Sequence, residues 1–341
     1  IARFLTQSTF GPTPQLIDEL RALVNSPPHN GDRIAAFSAW LDAQLDSAQT
    51  PIASLQAYCE AEDDQLTDIY TGDPAASYYN ASYLPNQSSR RRGWWTIALF
   101  GNDQVRQRLG TALSEILVTS AGDSVVDTRH YGHSNYYDML VSGIDGTYRD
   151  LLEGVSIHPI MGQYLSSLRN QKEITDGMGT VLVSPDENYA REVMQLFSIG
   201  LVQMHPDGSL KLSATGQPVP TYGQADIIDL ARLFTGWSFS KRNSPSNSDT
   251  VVDNTNFNQN NGNQYYQAQW VNPMKQFPTF HDTGAKTVLG LNLPAGQSGE
   301  AELDAFLDHL AGHPNISPFI SKRLIQRLVS SNPSAGYIHR V

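Results

Sequence analysis

Residues 103–120 read DQVRQRLGTALSEILVTS. Val105, Leu109, Leu113, Ile116 and Leu117 recur at three- and four-residue steps, while Arg106, Gln107 and Ser114 fall off that stripe. A repeat near 3.6 residues gathers apolar side chains on one side of a helix, so the stretch predicts an amphipathic helix packed along one face. The same period recurs through the chain. Residues 135–168 predict three helices, punctuated at Gly146 and at His158-Pro159. Residues 225–237 place Ile227, Leu230, Leu233 and Phe234 at helical spacing and close at Gly236, a natural C-terminal stop. Residues 315–331 repeat Ile316, Phe319, Ile320, Leu324 and Leu328, with Asn315 positioned to cap. The expected fold is mainly α: one compact multi-helix body forming a single domain over residues 1–341.

Two stretches break the pattern. Residues 70–92 are rich in Tyr, Asn, Ser, Pro and Gly, and residues 243–269 are richer still in Asn and Gln. Both are expected as long polar loops. Trp237 to Phe239 before the second, with Trp270 and Phe277 to Phe280 after it, predict a small β-bearing insertion at about 240–280. The three arginines Arg90, Arg91 and Arg92 close the first loop and are expected to form a solvated turn. Asn80 and Asn86 each open a glycosylation pattern, which matters only in a secreted eukaryotic context.

The formal charge of −11 opposes the broad basic surface that binding a nucleic-acid backbone requires. No run approaches the roughly 20 apolar residues of a membrane-spanning helix. Lysine occurs only six times, and Asn, Gln, Ser and Thr supply much of the polarity, a composition that suits an exported, periplasmic or extracellular protein. Cys59 stands alone, which excludes an internal disulfide and a thiolate cluster; it is expected to be an inert packed residue. The last residues, SSNPSAGYIHRV, begin a new helix after a proline and stop, so the chain is expected to be C-terminally incomplete.

Residues 184–200, SPDENYAREVMQLFSIG, pack four ionisable groups into seven residues and then turn apolar. Ser184 as cap, Pro185 in the first helical position and Glu187 three residues on form a capping box. Asp186 adds negative charge at the positive end of the helix dipole. Capping does not account for Asn188, Arg191, Glu192 and Gln195, which share one polar stripe opposite Tyr189, Val193, Leu196 and Phe197. One reading is a solvated face with an Arg191–Glu187 pair. The other is a stripe facing a pocket, with Glu192 as base, acid or metal ligand.

Several stretches in order, among them ARFLTQSTFGPT, LSEILVTS, PDENYAREVMQLFSIGL, LARLFTGWSF and HDTGAKTVLG, resemble the bacterial domain-of-unknown-function family numbered 1800. The likeness runs from Ala2 to the last residue. It implies a mainly helical bacterial protein, often exported and often encoded beside a partner of similarly unclear role. It implies no activity and no catalytic residue.

The segment FHDTGAKTVLG offers His281, Asp282 and Lys286 in a glycine-containing loop. Adjacent His and Asp point oppositely on a strand, and only a turn lets both converge on a metal or a shared proton. The alternative is a turn in which Asp282 accepts nearby backbone N–H groups. His130 and His133 are one helical turn apart, without a third ligand close in sequence. His158 and His313 each precede a proline at a helix entry and are expected to be structural. No nucleophile elbow, P-loop or dinucleotide fingerprint is present.

Two functions follow. The first is a hydrolase on an extracellular polymer, with Glu192, Arg191, His281 and Asp282 around one polar cleft and a divalent metal left open as cofactor. The second is a non-catalytic exported scaffold or surface-assembly protein, in which the same charges form a structural salt-bridge network. Its partner would be another exported protein encoded nearby.

Overall fold

The computed structural model describes residues 1–62, 87–241, 257–259 and 268–341. The fold is mainly α, as the periodicity predicts. The three central helices are His130–Ser142, Tyr148–Ile157 and Pro159–Tyr164, broken where Gly146 and His158-Pro159 stand. Thr147 caps the second with a full capping box onto Asp150. His158 caps the third, its Nδ1 accepting the Ile160 N–H at 3.2 Å. His313 does the same for Asn315 at 3.1 Å.

These helices share one large apolar core with Gln104–Ser114, Asn188–Gln195, Gln224–Leu233, Gly299–Ala311 and Ile316–Leu328. Leu152, Val155, Val193, Phe197, Leu230, Phe306 and Leu310 are fully enclosed at its centre. The helices Ala2–Ser8, Pro14–Asn25 and Arg33–Leu45 form a satellite cluster around Leu5, Leu20 and Trp40, closed by Val105. Three two-stranded antiparallel sheets decorate the body: β1 (Ile174–Thr175) with β2 (Val181–Val183), β3 (Trp237–Ser238) with β4 (Lys275–Gln276), and β5 (Lys286–Val288) with β6 (Leu291–Leu293). The β3–β4 pair joins the two sides of the polar stretch. Trp270, however, belongs to the short helix Ala268–Val271, and Pro278–Phe280 is a 3-10 turn rather than a strand.

Other local readings change as well. The helix of the charged segment begins at Asn188, not after Ser184. Strand β2 carries the chain extended to Val183, and Pro185 biases Ser184 away from helical backbone. Asp186 serves instead, accepting the Asn188 N–H at 2.8 Å, while its own N–H is held by Asn170 Oδ1 at 2.8 Å. Asn315 occupies a cap position but makes no side-chain cap. Its amide reaches across to the 199–204 segment, donating to Ile199 O (2.5 Å) and Val202 O (3.0 Å) and accepting from Met204 N (2.6 Å).

Arg106 and Gln107, off the apolar stripe, are fully buried. Their helix lies at the junction between the main core and the satellite. Arg106 therefore donates to Leu45 O and to Asp145 Oδ1 (2.7 Å), tying two elements together. Arg90, Arg91 and Arg92 form no turn. They open the helix Gln87–Phe100, where Gly93, Ile97 and Ala98 are buried and Arg90 is half-buried. Asn80, Asn86 and most of residues 243–269 lie outside the described residues. No helix among the described residues is long and apolar enough to cross a membrane.

Gly200 closes the charged segment with φ of +70°, its N–H on Met194 O at 2.9 Å. A Cβ there would stand 2.4 Å from the Phe319 ring. Left-handed backbone and overpacking act together, so Gly200→Ala is expected to cost about 2–4 kcal/mol. Urea unfolding checks it; a change under about 0.5 kcal/mol would mean that helix Ile316–Leu328 yields freely.

Candidate functional site

The helix Asn188–Gln195 turns Tyr189 and Val193 into the core and leaves Asn188, Arg191, Glu192 and Gln195 on the other side. Tyr189 Oη pairs with Ser156 Oγ at 2.8 Å and its ring meets Phe234 edge-on, which fixes the helix's rotation. Arg191 pairs with Glu187 at 3.2 Å, one helical turn back, with both side chains well exposed. Gln224 Nε2 closes on the same Glu187 carboxylate, at 3.2 and 3.1 Å. Glu192 is only partly exposed. Its Oε2 is enclosed without a hydrogen-bond partner, and desolvation raises its pKa above the ordinary carboxylate value against the pull of Arg191.

His281 and Asp282 occupy a turn, and their environment is different in kind. The His281 ring is 1% exposed, and Nδ1 lies 2.9 Å from Thr235 O. Thr235 Oγ1 spends its only proton on Arg232 O (2.6 Å) and accepts the Asp282 N–H (2.8 Å). Nδ1 is therefore the ring's donor to the Thr235 carbonyl. That leaves Nε2 facing Glu302 Oε2 at 3.3 Å, close but outside hydrogen-bonding angles. Both atoms are enclosed, and neither has a hydrogen-bond partner.

Around that pair lies a closed ionic network. Lys286 Nζ, buried, donates to Glu302 Oε1 (2.8 Å), Asp282 O (2.5 Å) and Gly284 O (3.0 Å). Arg232 grips Asp282 with two bonds of 3.0 Å and Asp229 with one of 2.6 Å. Burial pushes the Asp282 carboxyl up, but the Arg232 fork, the Gly284 N–H and the Lys286 charge outweigh it and hold the pKa below the usual value. The hydrogen bonds that Arg232 donates to Asp282 raise its own pKa in turn. Lys286 and Arg232 thus face three carboxylates, Glu302, Asp282 and Asp229, and pairing of this kind is what a region of low dielectric requires.

Of the four residues expected to share one cleft, His281 and Asp282 are brought together. Among the described residues no hydrogen bond or ion pair joins either of them to Arg191 or Glu192. The helix Gln224–Leu233 packs against both the Asn188–Gln195 helix and β5. Asp226, Asp229 and Arg232, three residues apart, present one face of it to the β5–β6 hairpin. Asp226 takes the Leu289 N–H at 2.7 Å and Asp229 the Thr287 N–H at 2.8 Å. That spacing is visible in DIIDLAR. So is Glu302, which stands four and eight residues before Phe306 and Leu310 in an apolar stripe. A lone charge in such a stripe signals a buried ionic partner.

The remaining candidates are buried or half-buried. Cys59 is buried against Ser134 Oγ (3.5 Å), and desolvation raises its thiol pKa, which disfavours the reactive thiolate. Burial lowers His130 to a pKa of about 4 and His133 to about 3. Among the described residues no group of three or more His, Cys, Asp and Glu is placed to hold a metal ion.

A family model described as a protein of unknown function, DUF1800, matches residues 3–341. The chain belongs to the DUF1800 family. No curated protein and no solved structure is similar enough to count as a match. The match takes in both motifs that carried the resemblance, the DENYARE helix and the HD-G-K turn, so in this DUF1800 chain one motif sets a half-exposed polar stripe and the other a closed ionic network.

Proposed function

We propose that this DUF1800 chain is a non-catalytic scaffold or surface-assembly protein working outside the cytoplasm, with a second exported protein as its partner. The observation that carries the reading is the enclosure of the HD-G-K network: His281 is 1% exposed and Glu302 and Lys286 are 0% exposed at their side chains. A group that transfers protons to a substrate must reach it within about 3 Å, directly or through one water. These groups reach one another and neighbouring backbone carbonyls. The sparse lysines and amide-rich polarity support the extracytoplasmic setting.

The hydrolase reading retains one supporting observation. Glu192 combines a half-exposed position, an unpartnered oxygen and a raised pKa, the pattern of a carboxyl set up for acid–base work. Purified chain and Glu192→Gln, assayed side by side on extracellular polysaccharides and proteins, distinguish the two. The scaffold reading expects no turnover by either and an unchanged unfolding midpoint in the variant. Turnover by the wild type that vanishes in a folded Glu192→Gln would replace the scaffold with the hydrolase. Elemental analysis of the same samples reads any bound divalent metal.

A further inference from the structure

One hollow lies away from both motifs. It has a volume of about 370 Å³ and is bounded by the helix Gln87–Phe100, the segment 114–121 and the helix His130–Ser142. Arg90 and Arg91 reach it from the first helix. Neither makes a hydrogen bond or ion pair with any described residue, and Arg90 Nε is enclosed without a partner. Their neighbour Arg92 takes Glu62 at 2.8 Å. Asp127, the acid whose field Arg90 feels, is already bonded by Gln87 Nε2 at 2.8 Å.

An unpaired guanidinium half out of water is expensive, and this chain has acids to spare, 34 against 23 basic residues. Burial lowers the pKa of Arg90, which remains a cation in any case. Among the described residues, the lining of the hollow supplies neutral polar groups and no carboxylate. His133 is held neutral by burial, with Nε2 on Thr119 Oγ1 at 3.0 Å and Nδ1 enclosed and unpartnered. Ser120 Oγ accepts the Gly122 N–H at 2.9 Å, which leaves its own proton to donate. Tyr136 and Tyr137 spend their hydroxyls on Leu117 O (2.7 Å) and Gln107 Oε1 (3.0 Å), so with Trp94 they offer the hollow their rings.

We propose that this hollow binds a small molecule carrying one oxyanion, a carboxylate or a phosphate, gripped by Arg90 and Arg91 with its body against the aromatic wall. The planar guanidinium fork matches both anions with paired N–H bonds. The volume fits a ligand of single-ring size, at the small end of ordinary binding sites. The overall charge of −11 repels anions in general, so retention of one marks a local site.

The test is calorimetric titration of the full chain, at low salt, with inorganic phosphate, glucose 6-phosphate, glucuronate and benzoate, and with neutral glucose as control. At least one anion should bind saturably with one-to-one stoichiometry while glucose does not. Preference between the phosphate and carboxylate arms identifies the head group. Loss of a charged bidentate contact weakens binding tenfold or more, so Arg90→Gln and Arg91→Gln should each raise Kd by about that factor. Circular dichroism checks the fold, and exposed Arg91 carries the test if Arg90→Gln does not fold. No saturable binding by any probe at about 10 mM, or affinity unchanged in Arg91→Gln, overturns the proposal.

Discussion

Acidification from about pH 6.5 towards pH 4 will cost the folded chain roughly 2.7 kcal/mol per pH unit, from two buried imidazoles alone. His133 and His158 are 8% and 5% exposed. Burial lowers both to a pKa of about 3, with the charges of Arg90, His130 and His158 adding to the effect at His133. His133 faces Thr119 and the Arg90 side; His158 faces Asn135 Oδ1 at 3.1 Å and the Ile160 N–H, with the Tyr136 ring edge beside it. None of these partners favours an imidazolium. The unfolded chain protonates each ring near pH 6.5, whereas the folded chain does not until about pH 3.

The unfolded state thus binds more protons throughout that window. Stability is complete above it and lost as pH falls through it, each ring contributing about 1.4 kcal/mol per unit. Partly exposed His130, lowered to about 4, works in the same direction. Asp282, held below the ordinary carboxylate value, adds its loss only below about pH 4. Urea unfolding at pH 7.5, 6 and 5 measures the slope. His158→Gln should lower stability at neutral pH yet flatten the slope by about half. A wild-type stability that is level from pH 7 to pH 5 would refute the assignment.

Removing Lys286 should destabilise the chain by about 3–5 kcal/mol, because Lys286→Met strands Glu302 and two carbonyl oxygens inside the protein. Glu302→Leu should cost a similar amount by leaving the ammonium only the more distant Asp282 carboxylate, at 3.9 Å. The double variant puts apolar side chains at both ends of the lost contact and should recover about 2 kcal/mol of the summed loss. The unfolding midpoints of all four proteins close the cycle. Strict additivity would mean that the two charges do not act on each other, and the network would then not be the fold's lock between the Gly299–Ala311 helix and the β5–β6 hairpin.

Much of the helical body was legible, and for local reasons. Gly146 and His158-Pro159 end helices wherever they stand, through backbone freedom and a missing N–H, and both breaks fall where the sequence puts them. The apolar side of 188–195 was equally plain, because Tyr189 and Val193 follow the helical period. The candidate site was legible only in part. Residues 281–286 stood out as a constellation, but Glu302 and Arg232, which close it, come from helices 16 residues after Lys286 and 50 before Asp282. Local spacing has no access to such pairings.

The errors share one physical origin. Arg90, Arg106 and Asn315 are polar residues whose sequence neighbourhood suggests a turn, a solvated face and a cap. What each side chain does depends on which distant surface arrives: Asp145 and Leu45 O for Arg106, the 199–204 carbonyls for Asn315, a hollow without a carboxylate for Arg90. Periodicity, punctuation and composition determined the helices, their breaks and the mainly α class, since these depend on backbone preference and on the side of a helix that must leave water. Only the tertiary structure decided which charges are paired, which are enclosed and which are left waiting for an anion. The energy of a charge is set by the groups within a few ångströms of it, and here most of those come from elsewhere in the chain.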